Sequence, residues 1–505
     1  MQNKDIHWQA DADVVVIGYG AAGAVAAITA HDCGSKVLIL EKQESEKIIT
    51  NSFMSDGGII NTNDRSGAID YMEALVKVSD SISWTDREVI YAWARYTEEN
   101  VAWLERIGGK PLKLYRHGGE HRLPGAEAID SYHVPGLGPG LMNMLYRQVS
   151  ARSIDVHYNS SATELLMTSQ GEVMGVQART TAEENKAIKI KVRRAVILTT
   201  GGFEFDEQMK LQYLRVYPSY FLGSPANTGD GIRLALRAGA QLWHMNCCSA
   251  RLVMKFPELP FAFNPAYSGK NRPSLAVTEG AETKASRADE AGFIIVDRSG
   301  RRYTKETIKP HTLYYELAGF DSQKLFYPRV PSYWIFDHRR IGNSPLVRTT
   351  NGPAGPARFY RWSANNNEEI ERGWVKQCDT VKGLGMAIGV DGKTLAQTVR
   401  NYNRFCQEGR DEGFGRQRET LIPLDSPPYY AVELWPGGPN TQGGPRRNGY
   451  AQIVRPDGTP IPRLYSAGEL GSIYGMLYPS GGGNLAECVA FGRIAGEHAS
   501  AERPR

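Results

Sequence analysis

The stretch Asp13-Val-Val-Val-Ile17-Gly18-Tyr19-Gly20-Ala21-Ala22-Gly23 decides the fold. Its first five residues form the short apolar run of a strand buried on both faces of a parallel sheet. Glycines at 18, 20 and 23 follow at once, and an alanine-rich segment continues to about His31. This is the order strand, glycine turn, helix. Gly18 makes the tight turn, Gly20 lets the backbone approach a pyrophosphate, and Gly23 lets helix and strand pack closely. Val37-Leu-Ile-Leu40 is the returning strand, and it ends in Glu41 and Lys42. An acid about twenty residues beyond the glycines is placed to accept from a ribose hydroxyl. The unit therefore predicts a dinucleotide site built on Gly18, Gly20, Ala21, Ala22, Gly23, Glu41 and Lys42.

Working outward, the partner of this unit lies at the other end of the chain. Leu464-Tyr-Ser-Ala-Gly468-Glu469 reads as a strand breaking into a turn. Tyr478-Pro-Ser480-Gly481-Gly482-Gly483-Asn484-Leu485 then opens a helix rich in small residues, among them Ala486, Ala490, Ala495 and Gly496. Glycines at a helix start leave N–H groups exposed with no side chains in the way, which suits an anionic or planar ligand. Between the two ends lie Asn51-Ser-Phe-Met-Ser55-Asp-Gly57-Gly58, the strand Ala195-Val-Ile-Leu-Thr-Thr-Gly201-Gly202, and Asn227-Thr-Gly-Asp230-Gly231 opening an amphipathic helix to about Ala238.

With 505 residues the chain exceeds one hydrophobic core. From about Met254 to Ser426 the glycine–helix motifs stop, and Pro, Arg and aromatic residues take over. Three segments are expected: 1–253 and 427–505 building one domain, and 254–426 inserted as another. Within the insertion, Ile294-Ile-Val-Asp297-Arg-Ser-Gly300-Arg-Arg-Tyr303 reads as strand, turn, strand, and Tyr333–Asp337 as a further strand. Leu384 to Phe405 reads as helices around a turn at Gly389–Gly392.

A net charge of +4 is too small for this length to argue for nucleic acid. Six scattered cysteines without metal spacing point to reduced thiols and a cytoplasmic setting. The sequence has no apolar run long enough to span a membrane, and its first thirteen residues lack the apolar core of a secretory signal.

The motifs at 18–23, 51–58, 195–202, 224–231 and 464–485, in this order, resemble the flavoprotein family of fumarate reductase and succinate dehydrogenase, which includes the 3-ketosteroid dehydrogenases. The resemblance covers nearly the whole chain. It implies an α/β fold, with a doubly wound Rossmann-like FAD-binding domain interrupted by an α+β capping domain. It implies FAD as cofactor, with Ser55, Gly57, Gly58, Gly201, Gly202 and Asn227 in its site. Asp230 and Glu469 would hold sugar hydroxyls, and the backbone of Asn484 and Leu485 would meet the flavin ring. No histidine stands in Asn51–Ser55, where covalent members of the family attach the flavin, so non-covalent FAD is expected.

The charged dicarboxylate anchors of fumarate reductases are missing or replaced here. Lys309-Pro310-His311 has no arginine, Ser480 stands near the C-terminal arginine position, and Asn440 stands in place of a histidine. Arg446 and Arg447 lie close by in sequence. Tyr478, Ser480 and Gly482 instead match ketosteroid dehydrogenase patterns, in which a tyrosine hydroxyl and a glycine N–H hold a ketone oxygen. The base would come from the inserted segment, with His311, Tyr314 and Tyr315 as candidates, and Tyr132 is a further pocket candidate. The resemblance thus implies an FAD-dependent enzyme acting on CH–CH bonds. It would desaturate a cyclic ketone or reduce the enone, with an unidentified electron partner. The alternatives are an ene-reductase of an unsaturated carboxylate and a flavin-binding subunit without turnover.

Overall fold

Short runs of Val, Ile, Leu and Ala supply the buried strands around which the chain is built. The computed structural model describes residues 6–115, 122–180, 186–267, 292–308, 310–342, 344–347 and 359–505. The chain divides into two compact units. One comprises Met1–Leu214, Gly223–Ser249 and Asn440–Arg505, and the other Arg215–Leu222 and Ala250–Pro439.

The first unit holds an eight-stranded sheet among the described residues. Its parallel centre runs Pro460–Ser466, Ala187–Leu198, Ala10–Ile17, Val37–Leu40, Asp155–His157. Val14, Val15 and Val16 are fully buried, as the uninterrupted apolar run requires. Ala10–Ile17 sits between the strand that precedes Glu41 and the strand that precedes Gly201. The loops that leave those three strands therefore emerge at one end of the sheet.

Two helices pack on this centre, Ala21–Asp32 and the C-terminal Gly483–Ala501. They approach through small residues. A Cβ on Gly492 would stand 2.9 Å from the Val25 side chain, and one on Gly496 would stand 2.7 Å from the Ala26 carbonyl. Gly492 joins Gly496 as the close-approach pair, one turn apart on one face.

The second unit is built on the long strand Tyr429–Thr441, which belongs to it as far as Pro439, paired antiparallel with Ser332–Asp337, which pairs in turn with Phe293–Val296. Beside it lie the helices Val381–Ala387 and Gly392–Glu408. Asp391 caps the second, accepting from the Thr394 N–H at 2.9 Å, and Gly409 ends it in the left-handed conformation. Leu395, Val399 and Tyr402 form its buried stripe. The strand–turn–strand reading of 294–303 needs correction. Asp297 does turn the chain, accepting from the N–H groups of Ser299 and Arg301. The return makes only a single bridge, Val296 to Arg302, because Arg302 is drawn into a buried ion cluster with Glu306 and Asp411.

Candidate functional site

One cleft in the first unit gathers residues from the whole length of the chain. Gly18, Gly20, Ala22, Glu41, Lys42, Gly201, Asn227, Asp230 and Glu469 line it, with Thr50, Asn51, Ser52 and Thr200. It encloses about 790 Å³, its open mouth included. The glycines of the fingerprint do different work. Gly18 has φ +101°, and a Cβ on Gly23 would stand 2.0 Å from the Gly18 carbonyl oxygen, so both serve the turn itself. A Cβ on Gly20 would meet nothing nearer than the Ser52 Oγ at 3.6 Å. The bare backbone at Gly20 is therefore a cradle that a side chain would fill.

The Glu41 carboxylate is fixed from both sides. It accepts from the Tyr19 N–H at 3.0 Å and the Gln43 N–H at 2.9 Å, at the end of its strand. Across the cleft, the Lys42 Nζ bonds Asp230 at 2.7 Å and the Thr228 hydroxyl at 2.9 Å. Asn227 is buried, and its Nδ2 has no partner among the described residues. A buried amide donor without an acceptor is costly, and a ligand oxygen would satisfy it. The site offers a bare backbone at a helix start, a fixed carboxylate and an unsatisfied amide. These fit a dinucleotide, with the helix start taking phosphate oxygens and the carboxylate and amide taking sugar groups.

The remaining sequence candidates gather elsewhere in the same unit, around the start of the C-terminal helix. Gly58 lies back to back with Gly482, where a Cβ on either would press on the other's backbone. Gly57, at φ +68°, turns against Leu137. The Ser55 hydroxyl is committed to its own turn, donating to the Ser52 carbonyl and accepting from the Gly57 N–H. Tyr478 holds its hydroxyl on the helix end, where it accepts from the Asn484 N–H at 3.0 Å. The Asn484 side chain accepts from Gln442, and Leu485 is buried beneath it. Ser480 is buried and lies 3.4 Å from the Ser131 hydroxyl, and Tyr71 donates to the Pro479 carbonyl. The loop is thus braced from two strands and a helix. Tyr132 lies on the strand Ile129–His133, with the Lys113 ammonium over its ring.

In the second unit, His311 lies in the short helix Pro310–Leu313, and Tyr314 and Tyr315 begin a 3₁₀ turn. Tyr314 is fully buried. Tyr315 is partly exposed, its ring perpendicular to that of Tyr314, with the Arg215 guanidinium above it. Lys309 lies outside the described residues.

Arg446 and Arg447, neighbours of the dicarboxylate anchor positions in the sequence, are already engaged. Arg446 pairs with Asp86 at 2.7 Å and bonds Gln241. Arg447 is fully buried, bonded to Glu487 and the Gly468 carbonyl and stacked over Phe491.

Sequence reading missed Glu204 and the role of Asn51. Glu204 is 1% exposed and stands beside Glu469. Burial raises both carboxyls above the usual carboxylate range, and repulsion from Glu204 raises Glu469 further. The signal was present in Gly201-Gly202-Phe203-Glu204, an acid placed just past a glycine pair that approaches a ligand.

The FAD-binding domain family matches residues 13–485, and the chain belongs to it. It binds FAD, the cofactor whose recognition defines that family. Among relatives, the chain is 25% identical to digoxin reductase of Eggerthella lenta, over 99% of this chain and 89% of the relative. It is 26% identical to 3-oxosteroid 1-dehydrogenase of Mycobacterium tuberculosis, over 96% and 98%. It is 27% identical to a cytochrome fumarate reductase of Shewanella frigidimarina, over 97% and 77%. Its fold is similar to that of the 3-ketosteroid delta1-dehydrogenase of Sterolibacterium denitrificans, with a TM-score of 0.80, 22% identity, and 97% of this chain and 99% of the other covered. No helix of the described residues is long and apolar enough to cross a membrane.

Proposed function

We propose that this chain is an FAD-dependent oxidoreductase of the CH–CH bond beside a ring ketone, desaturating a cyclic ketone or reducing the corresponding enone. The carrying observation is the Tyr478 hydroxyl, held on the N-terminal end of the C-terminal helix by the Asn484 N–H. A donor to the phenol oxygen strengthens its own O–H as a donor to developing charge, because hydrogen bonds in a chain polarise one another. The positive end of the helix lies beneath it. These features suit an oxygen that becomes an enolate when the α proton leaves.

FAD, when bound, supplies the acceptor or donor of the hydride at the β carbon. Tyr478, with the Gly482 N–H, holds the ketone oxygen. The α proton is taken by a base that we assign to the segment expected as a cap, 254–426. The candidates for that base are His311, Tyr314 and Tyr315. The Arg215 cation over Tyr315 sits where phenolate charge would need a partner. Kinship with the 3-oxosteroid 1-dehydrogenase and digoxin reductase supports a ring substrate of steroid size. The carboxylate alternative finds no support in Arg446 or Arg447, whose charges are already paired.

Anaerobic flavin bleaching tests the proposal. Saturated cyclic ketones should bleach the bound flavin, or enones reoxidise the reduced enzyme. Fumarate and succinate should do neither. Fumarate turnover at a rate comparable with any ketone would overturn the reading. FAD is held without a covalent bond, so acid denaturation should release all of it, and flavin remaining on the precipitated protein would refute that.

A further inference from the structure

Glu204 and Glu469 are 265 positions apart in sequence and meet at Gly202, with Glu469 in the wall of the FAD cleft and Glu204 behind it. One side chain joins them. The Asn51 amide donates to Glu204 Oε1 at 3.0 Å and to Glu469 Oε2 at 2.8 Å. Asn51 is fixed in turn, its Oδ1 accepting from the Ser224 N–H at 2.5 Å. The Thr441 N–H also donates to Glu204 Oε1, at 3.2 Å. The other two oxygens, Glu204 Oε2 and Glu469 Oε1, converge over Gly202, where a Cβ would stand 3.0 and 2.4 Å from them. Neither makes a hydrogen bond of normal geometry among the described residues, although the Gly202 N–H lies within reach of the Glu469 carboxyl. The two side chains are 1% and 9% exposed.

Two ionised carboxylates at this burial would leave two adjacent charges with facing lone pairs, which is strongly unfavourable. One proton on either of the facing oxygens converts two orphan acceptors into a single O–H···O bond and halves the charge. The charged and titratable groups around the pair do not supply a competing cation. Lys42 is bonded to Asp230 across the cleft. Arg447 is bonded to Glu487 behind Gly468. Cys488, on the C-terminal helix, is buried and its thiol is pushed up by that burial, so it stays neutral. The unsatisfied Asn227 amide shows that this wall is built for a polar ligand.

We propose that Glu204 and Glu469 hold one proton between them and act as a single monoanionic unit toward bound FAD, with Glu204 the positioning residue that fixes Glu469 in the cleft. The unit accepts from a sugar hydroxyl through the lone pairs that remain on Glu469, with one negative charge rather than two. Cofactor binding excludes water from the pair and so favours the proton's retention. FAD affinity is therefore linked to that proton. The linkage has a definite sign, because the complex holds the proton to higher pH than the apoprotein does. Affinity is constant while the pair is singly protonated in both states. Above the apoprotein's titration it weakens by about tenfold per pH unit, the slope for one linked proton.

The test is the dissociation constant of FAD for flavin-stripped protein, followed by flavin fluorescence from pH 6 to pH 9. Wild type should weaken with rising pH at this slope. Glu204→Gln replaces the shared proton with an amide N–H, so whatever its affinity at pH 6 its profile should be flat, by the same linkage. A Glu204→Gln profile that falls with pH as the wild type's does would overturn the proposal, and where both are flat the infrared spectrum of the wild-type complex decides. If Glu204→Gln does not fold, infrared spectroscopy of the wild-type complex decides. A protonated-carboxyl band present at pH 7 and lost in Glu469→Gln supports the shared proton, and its absence at pH 7 refutes it.

Discussion

Two buried charge clusters in this chain are finished to different degrees. In the second unit, Arg302 bonds Glu306 through Nε and Nη2, both at 2.7 Å, and Asp411 at 2.9 and 3.1 Å. Arg416 lies 3.6 Å from Glu306 and donates to the Phe293 carbonyl. Two cations meet two anions. Burial alone would lower the Arg302 pKa, yet its bonds to Glu306 and Asp411 raise it, so it stays charged. In the first unit, Glu204 and Glu469 meet with an amide between them and with facing oxygens that make no hydrogen bond of normal geometry among the described residues. A buried cluster that closes on itself is holding the fold. One that leaves polar atoms open in the wall of a cleft has room for a ligand's polar groups.

This contrast predicts different consequences for similar substitutions. The largest is Glu306→Ala, which leaves Arg302 and Arg416 short of counter-charge in a buried site. It should lower unfolding stability by about 3–5 kcal/mol, the usual result of breaking one side of a buried pair. Urea denaturation measures it, and a loss below about 1 kcal/mol would mean that the cluster does not hold the second unit together.

Tyr478→Phe comes next, on the open side of the comparison. It removes one hydroxyl and keeps the ring, so FAD content and the flavin spectrum should stay intact. Flavin reduction by the ketone should slow by about 10²–10³, the typical loss of one oxyanion donor. Apparent substrate binding should change far less, because the bond matters most when charge develops. Rapid-reaction bleaching within a few-fold of wild type would make Tyr478 a packing residue.

Glu41→Ala should weaken FAD binding by about 1.5–3 kcal/mol, the value of a hydrogen bond to a charged group. The Tyr19 and Gln43 N–H groups also lose their acceptor. Unchanged retention of FAD on dilution would remove Glu41 from the site. The smallest effect is expected at Asp64, which caps the helix Arg65–Val76 through the Ser66 and Gly67 N–H groups. Asp64→Ala should cost about 1 kcal/mol of stability and leave FAD affinity unchanged. A changed FAD affinity there would blur the line between residues that hold the fold and those that hold the cofactor.

Local pattern is enough to read the dinucleotide unit, and the family resemblance of the five motifs adds the class of cofactor. Asp13 to Glu41 is legible because each of its steps is local. A buried apolar strand, a turn at φ +101° that favours Gly18, a helix start and an acid at fixed spacing are set by backbone preferences within one βαβ unit. The Tyr478–Gly483 loop was legible for the same reason, as glycines opening a helix. The tertiary structure alone decided which distant residues meet. Leu464–Ser466 lies parallel to Val196–Leu198, and the Ala467 N–H donates to the Leu198 carbonyl at 3.1 Å. That register brings the loop of Glu204 beside the loop of Glu469, and no local pattern contains it. The same holds for Arg446 and Arg447. Their sequence position beside the anchor sites kept a carboxylate substrate in view, and only the packing of Asp86 and Glu487 against them shows each paired within the protein. Long-range pairing depends on sheet register and helix packing, where the free energy belongs to surfaces that meet after the chain has folded rather than to neighbours along it.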